Sequence, residues 1–474
     1  MAIASGRRAA LLAAAALLPG CAWLTPPATT SGIALPSRLT EADAGAPVQW
    51  PDPSWWRGFR STELDALMAE AMAANTDIAA AEARVRQADA QVRITGATLL
   101  PAIDASAQGT RSQTGSVSTA SITGVTSRRI RVTAANRLAL SASYEVDFWG
   151  KNRAATEAAQ QAAFANRFDV GTVTLTTQAS VANTYFAMLG AQERLAIQKE
   201  NLEIAQRVLR VIRDRVTVGT STGLDLAQQE TVVAQQQALV PPLVQAVETN
   251  RISLGTLVAR PPETIRLEGG TFSRLDVPRV TPGMPAEVLV RRPDVLNAEA
   301  ALAAANANIV SARAQLLPSV TLTGSGGWTS LALETLTTPQ SLIFSLAAGL
   351  TQPIFQGGAL VGQVRLREAQ AEELVQTYRF AILNALVDTE NALVALRQTT
   401  EQEALQANAV RMAERAYAIS EAQLRAGTID IVTLLNTQQT LFSARNTLAQ
   451  ARLDRLQAAV GLFRALGGGW GTAA

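Results

Sequence analysis

Histidine is absent from the 474-residue chain, and cysteine occurs once, at Cys21. The first absence removes the side chain that most often moves protons near neutral pH. The second excludes disulfides within the chain, and the two together exclude zinc sites of the usual Cys/His kind. There is also no phosphate-binding glycine loop and no nucleophile–base set. The Asp and Glu residues fall on helix faces and strand ends without a shared cleft, so neither an enzyme nor a metal or cofactor site is expected. With Arg7 and Arg8 set aside, basic and acidic residues are equal in number. Nucleic acid, which needs a basic face, is therefore not an expected partner. Proline is missing from two long tracts: none lies between Pro101 and Pro241, and none follows Pro353.

Those proline-free tracts read as very long helices that turn back on themselves. The first climbs from about Lys151 to Val218, turns at Gly219-Thr220-Ser221-Thr222-Gly223 and returns from Leu224. The second climbs from about Gly358 to Ala426, turns at Gly427-Thr428 and returns through Ile431 to Leu466. At ~1.5 Å per residue each ascent is about 100 Å long. Hydrophobic residues make up 48% of the chain with a mean hydropathy of +0.11, and alanine supplies much of that share, which lets helices pack closely.

The N-terminus has the parts of an export signal. Arg7-Arg8 precede an apolar run from Ala9 to Leu18, too short for a membrane span and of signal-peptide length. It ends in Leu18-Pro19-Gly20-Cys21, which resembles the bacterial lipobox, with Cys21 as the lipidated first residue. Ala22 follows where an aspartate would resemble an inner-membrane retention signal, which favours the outer membrane. Residues 22–54 carry six prolines and read as an extended tether.

The chain also repeats itself. Asp77-Ile78, Glu82 and Leu99-Leu100-Pro101 match Asp294-Val295, Glu299 and Leu316-Leu317-Pro318 at a constant offset of 217. Phe148 and Gly150 match Phe355 and Gly357 at 207, and Gly219-Thr220 matches Gly427-Thr428 at 208. The period is too long for a solenoid repeat. After each Leu-Leu-Pro the apolar spacing changes from 3.6 to 2. Ile103, Ala105, Ala107 and Gly109 alternate with polar residues, a Ser/Thr/Gly-rich loop is expected over Ser112 to Ser127, and Leu138 to Phe148 alternate again. In the second half Val320 and Leu322, then Phe344, Leu346, Ala348 and Leu350, do the same. Four strands result, each long enough to cross a bilayer with tilt. Four fall short of the about eight needed for a small barrel, and lipid forbids open edges. The sheet is therefore expected to close by association: two chains give eight strands, three give twelve. Arg137, Glu145 and Asp147 form an expected polar row suited to a wet lumen.

The expected organisation is a signal peptide (1–20), a lipidated tether (21–54), an equatorial short helix (55–100), a first β-hairpin (101–149) and a first long helical hairpin (150–260). A linker with a second short helix (261–317), a second β-hairpin (318–356), a second helical hairpin (357–466) and a tail (467–474) follow. In the long helices Val208, Val211, Ile212 and Arg215 mark one expected seam, and Leu383, Leu386, Val387 and Asn391 another. At the turns glycine accepts a positive φ, and Thr220 or Thr428 is expected to help start the next helix. Asp225 and Asp430 lie just beyond, where a carboxylate suits a helix N-terminus.

Taken together these residues resemble the outer membrane factor family of tripartite efflux systems, the TolC-like and NodT-like outer-membrane lipoproteins. The likeness rests on Trp55-Trp56 with Leu64, Tyr144 to Gly150, Arg291-Arg292-Pro293-Asp294-Val295, Ala305 to Ile309 leading to Leu317-Pro318, and Gln352-Pro353-Ile354-Phe355 before Gly357-Gly358. It implies an α+β membrane protein: a long α-helical barrel plus a transmembrane β-barrel, four strands per chain, closed as a 12-stranded barrel in a homotrimer. The segments around residues 55–75 and 261–290, with the short helices and the C-terminus, would form a belt. It also implies a periplasmic adaptor protein and an inner-membrane RND transporter as partners, with outer-membrane lipid around the strands. The helix tips Gly219, Thr220, Gly427 and Thr428 would meet the adaptor. Asp225 and Asp430 are the nearest matches to a periplasmic gate, although Asp430 stands one residue later than a common family pattern. Tyr144, Asp147, Gly150, Pro353, Phe355 and Gly357 would hold the strand-to-helix joints. The function implied is a passive outer-membrane duct for drugs or other small molecules. A protein-secretion duct, or a lipid-anchored coiled-coil scaffold without a pore, stays open as an alternative.

Overall fold

The computed structural model describes residues 25, 31–39, 49–119, 126–267, 269, 272–280 and 284–468. The signal peptide, Cys21, most of the tether and the last six residues lie outside them. In chain order the main elements are α1 (Thr62–Ala74), α2 (Thr76–Gly96), β1 (Ala102–Thr119), β2 (Thr126–Val146), α3 (Lys151–Thr217), α4 (Gly223–Ala238) and α5 (Val240–Leu257). There follow α6 (Pro285–Leu289), α7 (Pro293–Ala314), β3 (Ser319–Ser330), β4 (Leu342–Thr351), α8 (Ala359–Arg425) and α9 (Ile431–Ala465). The two ascending helices α3 and α8 are each 67 residues and unbroken. Their Ala-, Gln-, Glu- and Arg-rich composition favours helix throughout.

The two halves part company on the way back. α9 returns as one helix of 35 residues, whereas the first return breaks at Leu239 into α4 and α5. The continuous first return expected from Leu224 is thus corrected. Pro241 and Pro242 carry no N–H to donate, and they sit in the first turn of α5, where none is needed.

The chain forms two compact units. One holds residues 85–165 and 299–377, and with them the whole sheet. The sheet is antiparallel throughout, in the order β1-β2-β3-β4. The loop expected over Ser112–Ser127 is corrected at both ends, where β1 and β2 stay paired out to Thr119↔Thr126; residues 120–125 lie outside the described residues. The cross-strand ladder satisfies the backbone, and Ser and Thr, unlike Pro, leave it intact. In the same unit α7 packs Ala305 and Ile309 against Ala371 and Leu374 of α8, and Arg313 pairs with Glu368 at 2.7 Å.

The other unit holds residues 32–84, 166–298 and 378–474. Its core gathers the expected belt segments: Trp55 stacks on Phe463 at 4.9 Å, Phe59 meets Phe186 at 4.9 Å, and Leu64, Met68, Val181, Leu254 and Val460 are fully buried around them. Leu39 of the N-terminal segment is buried against Val288, Leu462 and Leu466. The helical seams are shifted from expectation. Val208 and Ile212 are buried, but Val211 is 45% exposed. Along the second seam, between Ile382 and Asn391, the buried residues of α8 are Ile382, Ala385 and Thr389, whereas Leu383 and Val387 are exposed. Heptad spacing alone could not tell the inner apolar stripe from a neighbouring one that an unassociated chain leaves bare.

Candidate functional site

The register places the large apolar residues of β1, β2 and β3, and most of those of β4, on one face; Ile343 lies on the other, opposite Gly327. Ile103 lies opposite Ala142, Ala105 opposite Leu140 and Ala107 opposite Leu138. Leu138 then faces Trp328, Tyr144 faces Leu322, and Val146 faces Val320. Val320, Leu322, Gly324 and Gly326 meet Leu350, Ala348, Leu346 and Phe344. Directly paired antiparallel residues project to the same side, so these form one continuous sheet of hydrocarbon. It is bare: Phe344 and Leu346 are each 87% exposed and Leu350 71%. The opposite face carries Asp104, Ser106, Gln108 and Thr110 on β1, Arg137, Ser141 and Ser143 on β2, Thr321, Thr323 and Ser325 on β3, and Ser345 on β4. Among the described residues β1 and β4 each have a partner on one side only.

The first strand-to-helix joint is tied by charge. Asp147 accepts from the backbone N–H of Asn152 and of Arg153 at 3.0 and 2.8 Å, and from Arg153 Nε at 3.2 Å. It therefore caps α3, beyond the end of β2, and does not extend the polar row as expected. Glu145 is also engaged, pairing with Lys151 at 2.6 Å. Gly150 holds a φ of 78°, which L side chains resist, and Trp149 donates to the Pro318 carbonyl at 2.8 Å. Tyr144 is half-buried on the apolar face. At the second joint Pro353 follows β4, Phe355 is 86% exposed, and Gly357 takes a φ of 60°.

At the tips the two turns have one construction. Gly219 and Gly427 have φ values of 77° and 74°. The N–H groups of Thr220 and Thr428 reach back to the carbonyls of Arg215 and Gln423 at 2.8 and 3.0 Å, and both threonine hydroxyls donate to the same carbonyls at 3.1 Å. These threonines thus finish the ascending helix, where the sequence suggested that they start the next. The starting is done by Thr222 and Asp430. Thr222 accepts from Asp225 N–H, and the Asp225 carboxylate accepts from Thr222 N–H at 2.7 Å, a reciprocal cap. Asp430 accepts from the Thr433 hydroxyl and N–H at 2.6 and 2.9 Å. Those bonds, the hydroxyl first, hold its carboxyl below the ordinary range.

A family model described as "Outer membrane efflux protein" matches residues 67–260 and 284–468. The chain belongs to this family. It is 40% identical over 460 residues to the pyoverdine export outer membrane protein OpmQ of Pseudomonas aeruginosa, a match covering 97% of this chain and 96% of that one. It is 27% identical over 463 residues to the probable outer membrane lipoprotein SilC of Salmonella typhimurium, covering 96% and 97%. Among solved structures the outer-membrane channel OprN superposes with a TM-score of 0.87 at 24% identity, over 94% of this chain and 99% of that one. This outer membrane efflux protein accordingly has the channel fold of its relatives, α-helices with a four-stranded sheet, and acts in efflux at the outer membrane.

One residue of the efflux protein organises more structure than its motif suggested. The Arg292 guanidinium is buried and bonds Asp294 at 2.6 Å and Asp388 at 3.1 Å, while also donating to the carbonyls of Ala385 and Ala465. Burial opposes its charge, but the bonds to Asp294 and Asp388 outweigh that and raise its pKa further. It lines a cavity of about 450 Å³ with Thr172, Asn384 and Arg464. A hydrophobicity pattern could not reveal this hub, because its carboxylate partner Asp388 is 96 residues away in the chain. Among the described residues no cluster of His, Cys, Asp or Glu is placed to hold a metal ion.

Proposed function

We propose that three copies join β4 of one to β1 of the next, closing a twelve-stranded barrel in the outer membrane, and that their long helices gather into a hollow bundle around the same path. The observation that carries this is the single apolar face running unbroken across all four strands, with an open edge at each side. Lipid accepts such a face only when no strand edge is left unpaired, which demands sister chains. Cys21 anchors the chain to the membrane by lipid. The tips at Gly219-Thr220 and Gly427-Thr428 dock a periplasmic adaptor, which links the duct to an inner-membrane RND transporter. Asp225 and Asp430, held by their caps, bring negative charge to the narrow end. The duct passes small molecules and catalyses nothing; the pump supplies the energy.

Cross-linking in isolated membranes, followed by counting subunits on a denaturing gel, tests the assembly. The expected ladder stops at three. A molecule that stays single, and dissolves without detergent once Cys21 is replaced by Ser, overturns it and leaves the scaffold without a pore.

A further inference from the structure

The polar face of the sheet is not electrically uniform. From the helix end out to Arg131 its charged residues are Glu145, already paired with Lys151, then Asp104, then Arg137 and Arg131 itself. Arg137 lies opposite Gln108 on one side and Thr329 on the other, and Arg131 lies opposite Thr114, so no carboxylate faces either across the sheet. Both guanidinium groups are exposed and have no ion-pair partner among the described residues. β3 and β4 bring no charge to this face. Between Ala105 and Tyr144 the sequence holds five arginines and neither an acidic residue nor a lysine. The β3–β4 connection carries one carboxylate, Glu334, which is exposed.

At ~3.4 Å per residue Arg131 stands about 20 Å beyond Arg137, and Asp104 about 14 Å behind it. In ~0.1 M salt charges screen one another over about 10 Å, so the two arginines act as separate rings that Asp104 does not cancel. A narrow passage with low-dielectric walls concentrates such a field.

We propose that the outer mouth of the duct is anion-attracting: Arg131 and Arg137 of each copy line it and favour the exit of negatively charged solutes over cations of similar size. This rests on the closed-barrel reading, with the polar face inward. Arg111 projects from the opposite face and takes no part.

The test is ion selectivity of the full-length protein in planar bilayers under a potassium chloride gradient. Removing both charges in R131Q/R137Q should lower the chloride-to-potassium permeability ratio at least twofold, and R131K/R137K should restore it. The difference should shrink as salt rises. Both side chains are exposed, so assembly is unaffected, which the subunit count on the same samples verifies. A pore whose ratio does not move between wild type and R131Q/R137Q overturns the anion mouth and leaves the duct standing. A protein that opens no pore overturns the duct and this inference with it.

Discussion

Thr222 and Asp430 occupy the same position in the two halves, 208 residues apart, and each accepts a backbone N–H from the third residue of the helix it starts. The internal duplication therefore pairs Asp430 with Thr222, and Asp225 with Thr433. The two acidic residues of the tips are not each other's counterparts. One is a cap and the other is the reciprocal partner of a cap.

Substituting the caps separates stability from gating. Thr222→Ala should cost about 1 kcal/mol at the start of α4. Asp430→Asn should keep the cap of α9, whereas Asp430→Ala should lose it, read as faster amide hydrogen exchange at Ile431 to Leu434. The folded Asp430 carboxyl sits below its ordinary range, so its contribution is present above that range and lost as pH falls through the depressed value. If its charge also narrows the duct, both D430A and D430N raise single-channel conductance; a rise in D430A alone assigns the effect to fraying of the tip.

Breaking the Arg292 hub should be the most destabilising single change away from the sheet. Arg292→Leu leaves Asp294 and Asp388 facing one another without their cation, and removal of one partner from a buried ion pair costs about 3–5 kcal/mol. Arg292→Lys keeps the charge but cannot serve two carboxylates and two carbonyls with its compact ammonium, so it should fall between. Chemical denaturation of the detergent-solubilised protein ranks the three.

Much of this architecture was legible because its signals are periodic. Alternation at Ile103–Gly109 and Phe344–Leu350 placed strands and their inner and outer faces, and the missing prolines gave α3 and α8 nearly to the residue. What sequence could not give was anything set by long-range partners. The hairpin beyond Thr110 looked like a loop because Ser, Thr and Gly are common there, and only pairing with Thr126–Ala135 makes it strand. Asp147 shares the parity of Arg137 and Glu145, yet the chain leaves the sheet at Val146 and the carboxylate turns to the next helix. Thr220 and Thr428 were given the wrong helix because a turn threonine can cap either neighbour, and geometry decides.

Alkaline pH should loosen the belt unit through Tyr185. Burial pushes its phenol up to about 12, a hydrogen bond with Ser61 acts the other way, and the nearby Glu63 charge adds to the rise. Tyr185 sits 2.9 Å from Ser61 Oγ and donates to Glu63 at 3.1 Å. A raised folded pKa leaves stability intact below the unfolded value near 10. Between there and about 12 the unfolded chain gives up its proton first, and stability falls by up to about 1.4 kcal/mol per pH unit from this group. Tyr185→Phe should be weaker by about 1 kcal/mol at neutral pH for its lost hydrogen bonds and should lose less above pH 10. Melting temperatures of the two proteins between pH 8 and pH 12 check both halves of the expectation.

Gly327 is the position in the sheet least able to take a side chain. It lies opposite Ala139 on the polar face, and a Cβ there would collide with the Leu138 carbonyl and the Ala139 backbone. Those are main-chain atoms of β2, so no rotamer change relieves the clash. Gly324 and Gly326 are different: a Cβ at Gly324 comes no closer than ordinary contact, 3.6 Å from the tip of Leu346 and 4.0 Å from the Ser345 carbonyl, and Gly326 has open space. Gly327→Ala should therefore force β2 and β3 apart near Trp328, disturb the ladder on which the barrel wall depends, and reduce the oligomer recovered from membranes. Gly326→Ala, one residue away, should assemble normally and serves as the control for expression; a G327A protein that assembles as well as G326A would show that the β2–β3 ladder yields there without cost.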